Sequence, residues 1–108
     1  MIMDISLLQN RAMEIREKYR KLEIVTAGKE WTDAELVRGF LTDVTDLLDL
    51  VEHSADQEKI GHELSDCLWS VLVLAVRLHI DLPDVFMKNM DMLEKRINDQ
   101  SLPQQEQR

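Results

Sequence analysis

The run CLWSVLVLAVRLHI, residues 67–80, sets the terms for everything around it. It is too short for a bilayer, which takes about 20 apolar residues, and it carries Arg77 and His79. Read as a helix, it is apolar on most of its circumference, and such a helix sits inside an assembly rather than on its rim. A chain of 108 residues is one domain in size and buries a limited share of its surface. Covering this helix fully therefore calls for a second subunit. No stretch alternates in the manner of a strand, and 3 Gly and 2 Pro are too few to turn a meander. The expected fold is all-α: a four-helix bundle completed by dimerisation.

Helical periodicity places the elements. Ile5, Leu8, Ala12, Ile15, Tyr19 and Leu22 recur at three- and four-residue steps, which predicts a first helix over about 6–24, stopped by Gly28. Thr32-Asp33-Ala34-Glu35 has the form of a capping box and opens a second helix running to about His53. Ser54 or Asp56 caps a third over about 57–80. Asp81 caps the fourth, with Pro83 in its first turn, where a missing N–H costs little, and it runs to about Asn98. Residues 1–98 form the expected helical domain. The tail 99–108 is polar, contains Pro103 and is expected to be disordered.

The second helix carries an unusual choice of residue. TDVTDLLDL (42–50) holds three aspartates and no Lys or Arg, although Asp is a mediocre helix former. Asp43 and Asp46 are three apart and share a face. The same spacing recurs at Glu63 and Asp66, at the start of the third helix, and each pair is hemmed in by apolar residues. If the short connection makes the two helices antiparallel, the pairs face each other. Four facing carboxylates repel, and the economical partner is a hard divalent cation, Mg²⁺ or Mn²⁺, rather than the Zn²⁺ that His and Cys favour. The plainer alternative is a solvated acidic face, which suits Asp49 and Glu52 best.

Charge excludes other classes. With 21 acidic and 13 basic residues the net charge is -8 and no basic cluster exists, so neither nucleic acid nor a membrane surface is an expected partner. Cys67 is the only cysteine, which fits a reducing cytoplasm, and MIMDISLLQN has no basic segment or cleavage-like site of a signal peptide. Trp31 suits a base-stacking role or a staple ahead of the capping box. Trp69 belongs to the core or a dimer interface. His62 adjoins the acids, while His53 and His79 lie where helices end. Lys88, Lys95 and Arg96 on the last helix are candidates to meet phosphate, with solvated charge as the default.

The D-x-x-D on one helix and E-x-x-D on the next resemble the acidic signature of the MazG-like, all-α nucleoside triphosphate pyrophosphohydrolases. The most specific stretch is HELSDCLWSVLVLAVRLHIDLP (62–83), similar to the third helix and following turn of that family, including its dCTP pyrophosphatase branch. Met90-Asp91 and Arg96 echo the last helix, and the likeness covers roughly 31–97. It implies a four-helix MazG-like bundle that hydrolyses a nucleoside triphosphate to the monophosphate and pyrophosphate, as a homodimer or tetramer of dimers. Carried over by position, Asp43, Asp46, Glu63 and Asp66 are the implied catalytic Mg²⁺ ligands. Where the dCTP branch has a phosphate-binding Lys and a base-reading Asn, this chain has Asn89 and Leu93, with Lys88 adjacent, so dCTP specificity is not implied. Trp31, Lys88, Asn89 and Arg96 are the candidate substrate contacts. Two rival readings are a non-catalytic helical protein used for dimerisation or regulatory binding, and a phosphoribosyl-ATP pyrophosphohydrolase-like enzyme.

Overall fold

The computed structural model describes residues 4–100, which form four helices in sequence: α1 Ile5–Ala27, α2 Asp33–His53, α3 Gln57–Arg77 and α4 Leu82–Gln100. Among the described residues there is no strand.

Local chemistry sets the ends. The Asp4 carboxylate accepts from the Leu7 N–H to start α1, and Gly28, at φ 80°, stops it in the left-handed conformation that costs glycine little. The capping box at α2 is complete: Thr32 Oγ1 accepts from the Glu35 N–H at 3.1 Å, and Glu35 Oε1 accepts from the Thr32 N–H at 2.8 Å. Asp56 caps α3, accepting from the N–H groups of Glu58 and Lys59. Ser54 closes α2, and its Oγ accepts from the Asp56 N–H. Asp81 caps α4 through the Asp84 N–H.

α3 ends at Arg77 rather than at Ile80 as periodicity predicts. His79 turns left-handed, at φ 59°. Its N–H donates to the Val76 carbonyl, and the Ile80 N–H donates to the Ala75 carbonyl, the paired bonds of a Schellman stop. The apolar run thus continues beyond the helix that it builds. α4 extends two residues past Asn98, so Asp99 and Gln100 are helical; the rest of the predicted tail, 101–108, lies outside the described residues.

α3 is the central element. Ala12 of α1, Leu36 of α2 and Leu72 and Val73 of α3 form the buried core, with Trp69, Leu74 and Leu82 packed around them. Trp69 donates its ring N–H to the Ala12 carbonyl at 3.1 Å and meets Tyr19 edge to face, 5.9 Å between centroids. Of the two readings of Trp69, this is the core one. α2 runs antiparallel to α3: Asp33 at the start of α2 pairs with Arg77 at the end of α3, and the midpoints of the two helices bring Asp43 beside Asp66.

The arrangement is open. The radius of gyration is 18.0 Å, against about 13 Å for a compact domain of this length. α4 buries none of its residues and reaches the core through Leu82, leaving Phe86, Met92 and Ile97 exposed. Leu41, Leu48 and Val51 on α2 and Leu64 and Leu68 on α3 are exposed as well. The burial expected for the apolar run is therefore only partly met within one chain.

Candidate functional site

The antiparallel register of α2 and α3 gathers Asp43, Glu63 and Asp66 so that one carboxylate oxygen from each lies within 4.8 Å of the others. These side chains are half-buried. Glu63 Oε2 is cut off from solvent and has no hydrogen-bond partner, an expensive state for a carboxylate oxygen. Burial, and then the charges of Asp66 and Asp46, push the Asp43 carboxyl up from its ordinary value. Glu63 is raised in the same way, by burial first and then by Asp66, Asp46 and Asp43. His62, with Nε2 3.3 Å from Asp66 Oδ2, partly offsets both. Three converging carboxylates, one of which has an unpartnered oxygen, fit a hard divalent cation. They do not suit Zn²⁺, because Cys67, held up as a thiol by burial and the nearby acids, is not among them.

Asp46, the fourth implied ligand, is exposed and stands outside this trio. It lies a turn along α2, close enough to raise both Asp43 and Glu63.

A cavity opens on each side of the acids. The larger, about 730 Å³, lies among α1, α2 and α3 and is lined by Asp43, Asp66, Tyr19, Trp31, Trp69 and Arg16, with others. The smaller, about 340 Å³, is lined by Asp46, Asp49, Leu50, Lys59, His62 and Glu63. The acidic cluster is thus a partition whose members are divided between the two spaces.

Trp31 is held at both ends of its peptide unit. Its N–H donates to Glu23 Oε1 at 2.9 Å, and its carbonyl accepts from Arg77 Nη2 at 3.5 Å. Arg77 also binds Asp33 and Glu30, tying the α1–α2 loop to the end of α3. The ring lies against Gly39, where an added Cβ would come within 3.3 Å of it, and 41% of the residue stays exposed as a wall of the larger cavity. Glu23 in turn is clamped by Arg16, which is 3% exposed: Nη1 donates to Oε2 at 2.9 Å and Nη2 to Oε1.

Lys88, Asn89 and Arg96 are exposed on α4 and line neither cavity. Lys88 pairs with Asp84 at 3.0 Å. Within one chain they do not meet the acids. Sequence reasoning passed over Arg16, Glu23 and Lys59. The first two carried a signal: Ala12, Arg16, Tyr19 and Glu23 fall at alternating four- and three-residue steps, so two opposite charges interrupt an apolar stripe seven apart. Lys59 carried none.

The raised carboxyls give a pH dependence of definite sign. An acid whose folded pKa is raised holds its proton longer in the folded state. Its penalty is absent below the unfolded value and grows as pH rises through the folded one. Asp43→Asn removes that penalty. In EDTA, the melting temperature of the variant minus that of the parent should therefore increase from pH 4 to pH 8. A difference that is flat or falls with pH would mean that Asp43 is not strained by its neighbours.

No helix among the described residues is long and apolar enough to cross a membrane. No curated protein and no solved structure gives a significant match to the chain. The family model described as the MazG nucleotide pyrophosphohydrolase domain matches residues 32–100, a segment that includes all four acids, the whole of α2 and α3, and α4. With well over half of its length matched, the chain belongs to the MazG nucleotide pyrophosphohydrolase domain family.

Proposed function

We propose that the protein is a divalent-cation-dependent hydrolase that converts a nucleoside triphosphate to the monophosphate and pyrophosphate, acting in the cytoplasm. The observation that carries this reading is the carboxylate trio, with Glu63 Oε2 left without a partner, set between two cavities. Asp43, Glu63 and Asp66 would hold Mg²⁺ or Mn²⁺. When bound, the cation neutralises phosphate charge and polarises the attacked phosphorus. The larger cavity would take the nucleoside, with Tyr19 and Trp31 offering ring faces to a base. Asp46, which is exposed and lines the smaller cavity, would accept the proton of the attacking water. The bond from the water oxygen to the α-phosphorus forms as the bond from that phosphorus to the α–β bridging oxygen breaks, and pyrophosphate leaves.

The exposed apolar faces of α2, α3 and α4 support a homodimer, alone or within a tetramer of dimers. In such an assembly α4 of one copy would be free to bring Lys88, Asn89 or Arg96 towards the acids of the other. A non-catalytic regulatory protein of the same fold is the second reading, favoured by Asp46 standing outside the trio.

The test is pyrophosphate release from a panel of ribo- and deoxyribonucleoside triphosphates. Release that needs Mg²⁺ or Mn²⁺ and stops in EDTA is expected, and the panel names the base. Absence of turnover on every member, together with no thermal shift on adding Mg²⁺, would leave the regulatory reading in its place.

A further inference from the structure

We propose that Gly39 is a specificity-determining residue of the larger cavity: by letting the Trp31 ring draw back against α2, it keeps that space wide enough for a purine nucleoside. The inference rests on the functional reading above and adds the size of base that the site accepts.

Gly39 stands inside α2, where glycine weakens a helix relative to alanine, and it lines the larger cavity together with Trp31. A Cβ at position 39 would lie 3.3 Å from Cζ3 of the indole, closer than carbons pack at their best separation. The other glycine inside a helix, Gly61 in α3, has nothing within 4 Å of an added Cβ. The close approach of an aromatic ring is thus particular to Gly39, and the indole occupies the room that a side chain there would need.

The ring has one way to yield. The Trp31 N–H donates to Glu23 Oε1 at 2.9 Å, and Glu23 is itself held by Arg16 through two hydrogen bonds. The Trp31 carbonyl accepts from Arg77 Nη2 at 3.5 Å. With its backbone fixed on both sides the loop does not retreat, and a side chain at position 39 is accommodated by turning the indole away from α2. That turn carries the ring into the space among α1, α2 and α3. Tyr19 of α1 and Trp69 of α3, in contact edge to face, line the same space. Each inward movement of Trp31 therefore narrows the gap between aromatic walls, and a two-ring base loses its place there before a one-ring base does.

The test is calorimetric titration of adenosine monophosphate, and separately of cytidine monophosphate, into the parent protein, Gly39→Ala, Trp31→Phe and the double variant, all in Mg²⁺. The parent should bind adenosine monophosphate at least as tightly as cytidine monophosphate. One added methyl should weaken adenosine monophosphate about tenfold in Gly39→Ala, with cytidine monophosphate little changed. In the Trp31→Phe background the same methyl should change neither, because the smaller phenyl ring leaves room beside position 39. That coupling separates an effect through the indole from a general disturbance of α2. A parent that binds neither nucleotide, or cytidine monophosphate alone, overturns the proposal. So does unchanged adenosine monophosphate binding in Gly39→Ala, an equal loss for both nucleotides, or the same loss in the Trp31→Phe background. Turnover of triphosphates by the parent protein is scored separately. Its absence would defeat the functional reading, whereas turnover with binding indifferent to Gly39→Ala defeats this inference alone.

Discussion

Asp66→Asn should reduce triphosphate hydrolysis by about three orders of magnitude while leaving the fold intact. Asp66 is the member of the trio that faces the larger cavity from α3, and its carboxylate lies within 4.8 Å of those of Asp43 and Glu63. Asn has the same shape and keeps one oxygen, but it removes the charge with which a hard cation is held. A cation supplies several kcal/mol of transition-state stabilisation, and each 1.36 kcal/mol is tenfold in rate, which sets the size of the loss. Stability should move the other way. Asp66 raises both Asp43 and Glu63, so its neutralisation relieves repulsion, and in EDTA the variant should melt at or above the temperature of the parent. The Mg²⁺-induced rise in melting temperature should shrink or vanish. Parental turnover in Asp66→Asn would remove the acidic cluster from the chemistry.

Arg16→Met should be the most destabilising single change of those considered. Arg16 is 3% exposed, and the change leaves the Glu23 carboxylate, which is 12% exposed, with the Trp31 N–H as its remaining hydrogen bond. Breaking a buried pair from one side costs about 3–5 kcal/mol, and at about 4–8 °C per kcal/mol for a domain of 60–100 residues the melting temperature should fall by more than about 10 °C. Glu23 is held below the ordinary carboxylate value, chiefly by Arg16, so in Arg16→Met its carboxyl rises and the loss is largest near neutral pH. The pair is not fully satisfied even in the parent, since Arg16 Nε is buried without a partner. Arg16→Met combined with Glu23→Leu should therefore recover most of the loss. Because Glu23 anchors the Trp31 backbone, the single variant should also show altered tryptophan fluorescence. Thermal melts of the two variants decide the matter; a single change costing less than about 1 kcal/mol would mean that the pair is solvated.

The helix ends and the acids were legible because they depend on local chemistry. Gly28, the Thr32–Glu35 box and Asp81 act within one turn of chain, and each does in three dimensions what its spacing implies. The end of α3 was misread because His79 adopts a left-handed backbone that periodicity does not encode; the apolar run continues while the helix stops. Spacing paired Asp43 with Asp46 and Glu63 with Asp66. The packing of α2 on α3 then drew three of these together and left Asp46 a turn away, since that choice depends on the depth at which two helices meet. The Arg16–Glu23 clamp was hidden because charged residues are read as solvated, although their place in the apolar stripe of α1 contradicted that.

The segment that matches the family begins at residue 32, whereas much of the wall of the larger cavity, including Ile15, Arg16, Tyr19, Glu23 and Trp31, lies before it. The acids and the surface that would choose among nucleosides are therefore written in different stretches of the chain. If the larger cavity takes the nucleoside, substitutions in α1 would retune which one is accepted without disturbing a single carboxylate. A likeness confined to α2 through α4 therefore covers the acids and leaves out what α1 contributes to that wall.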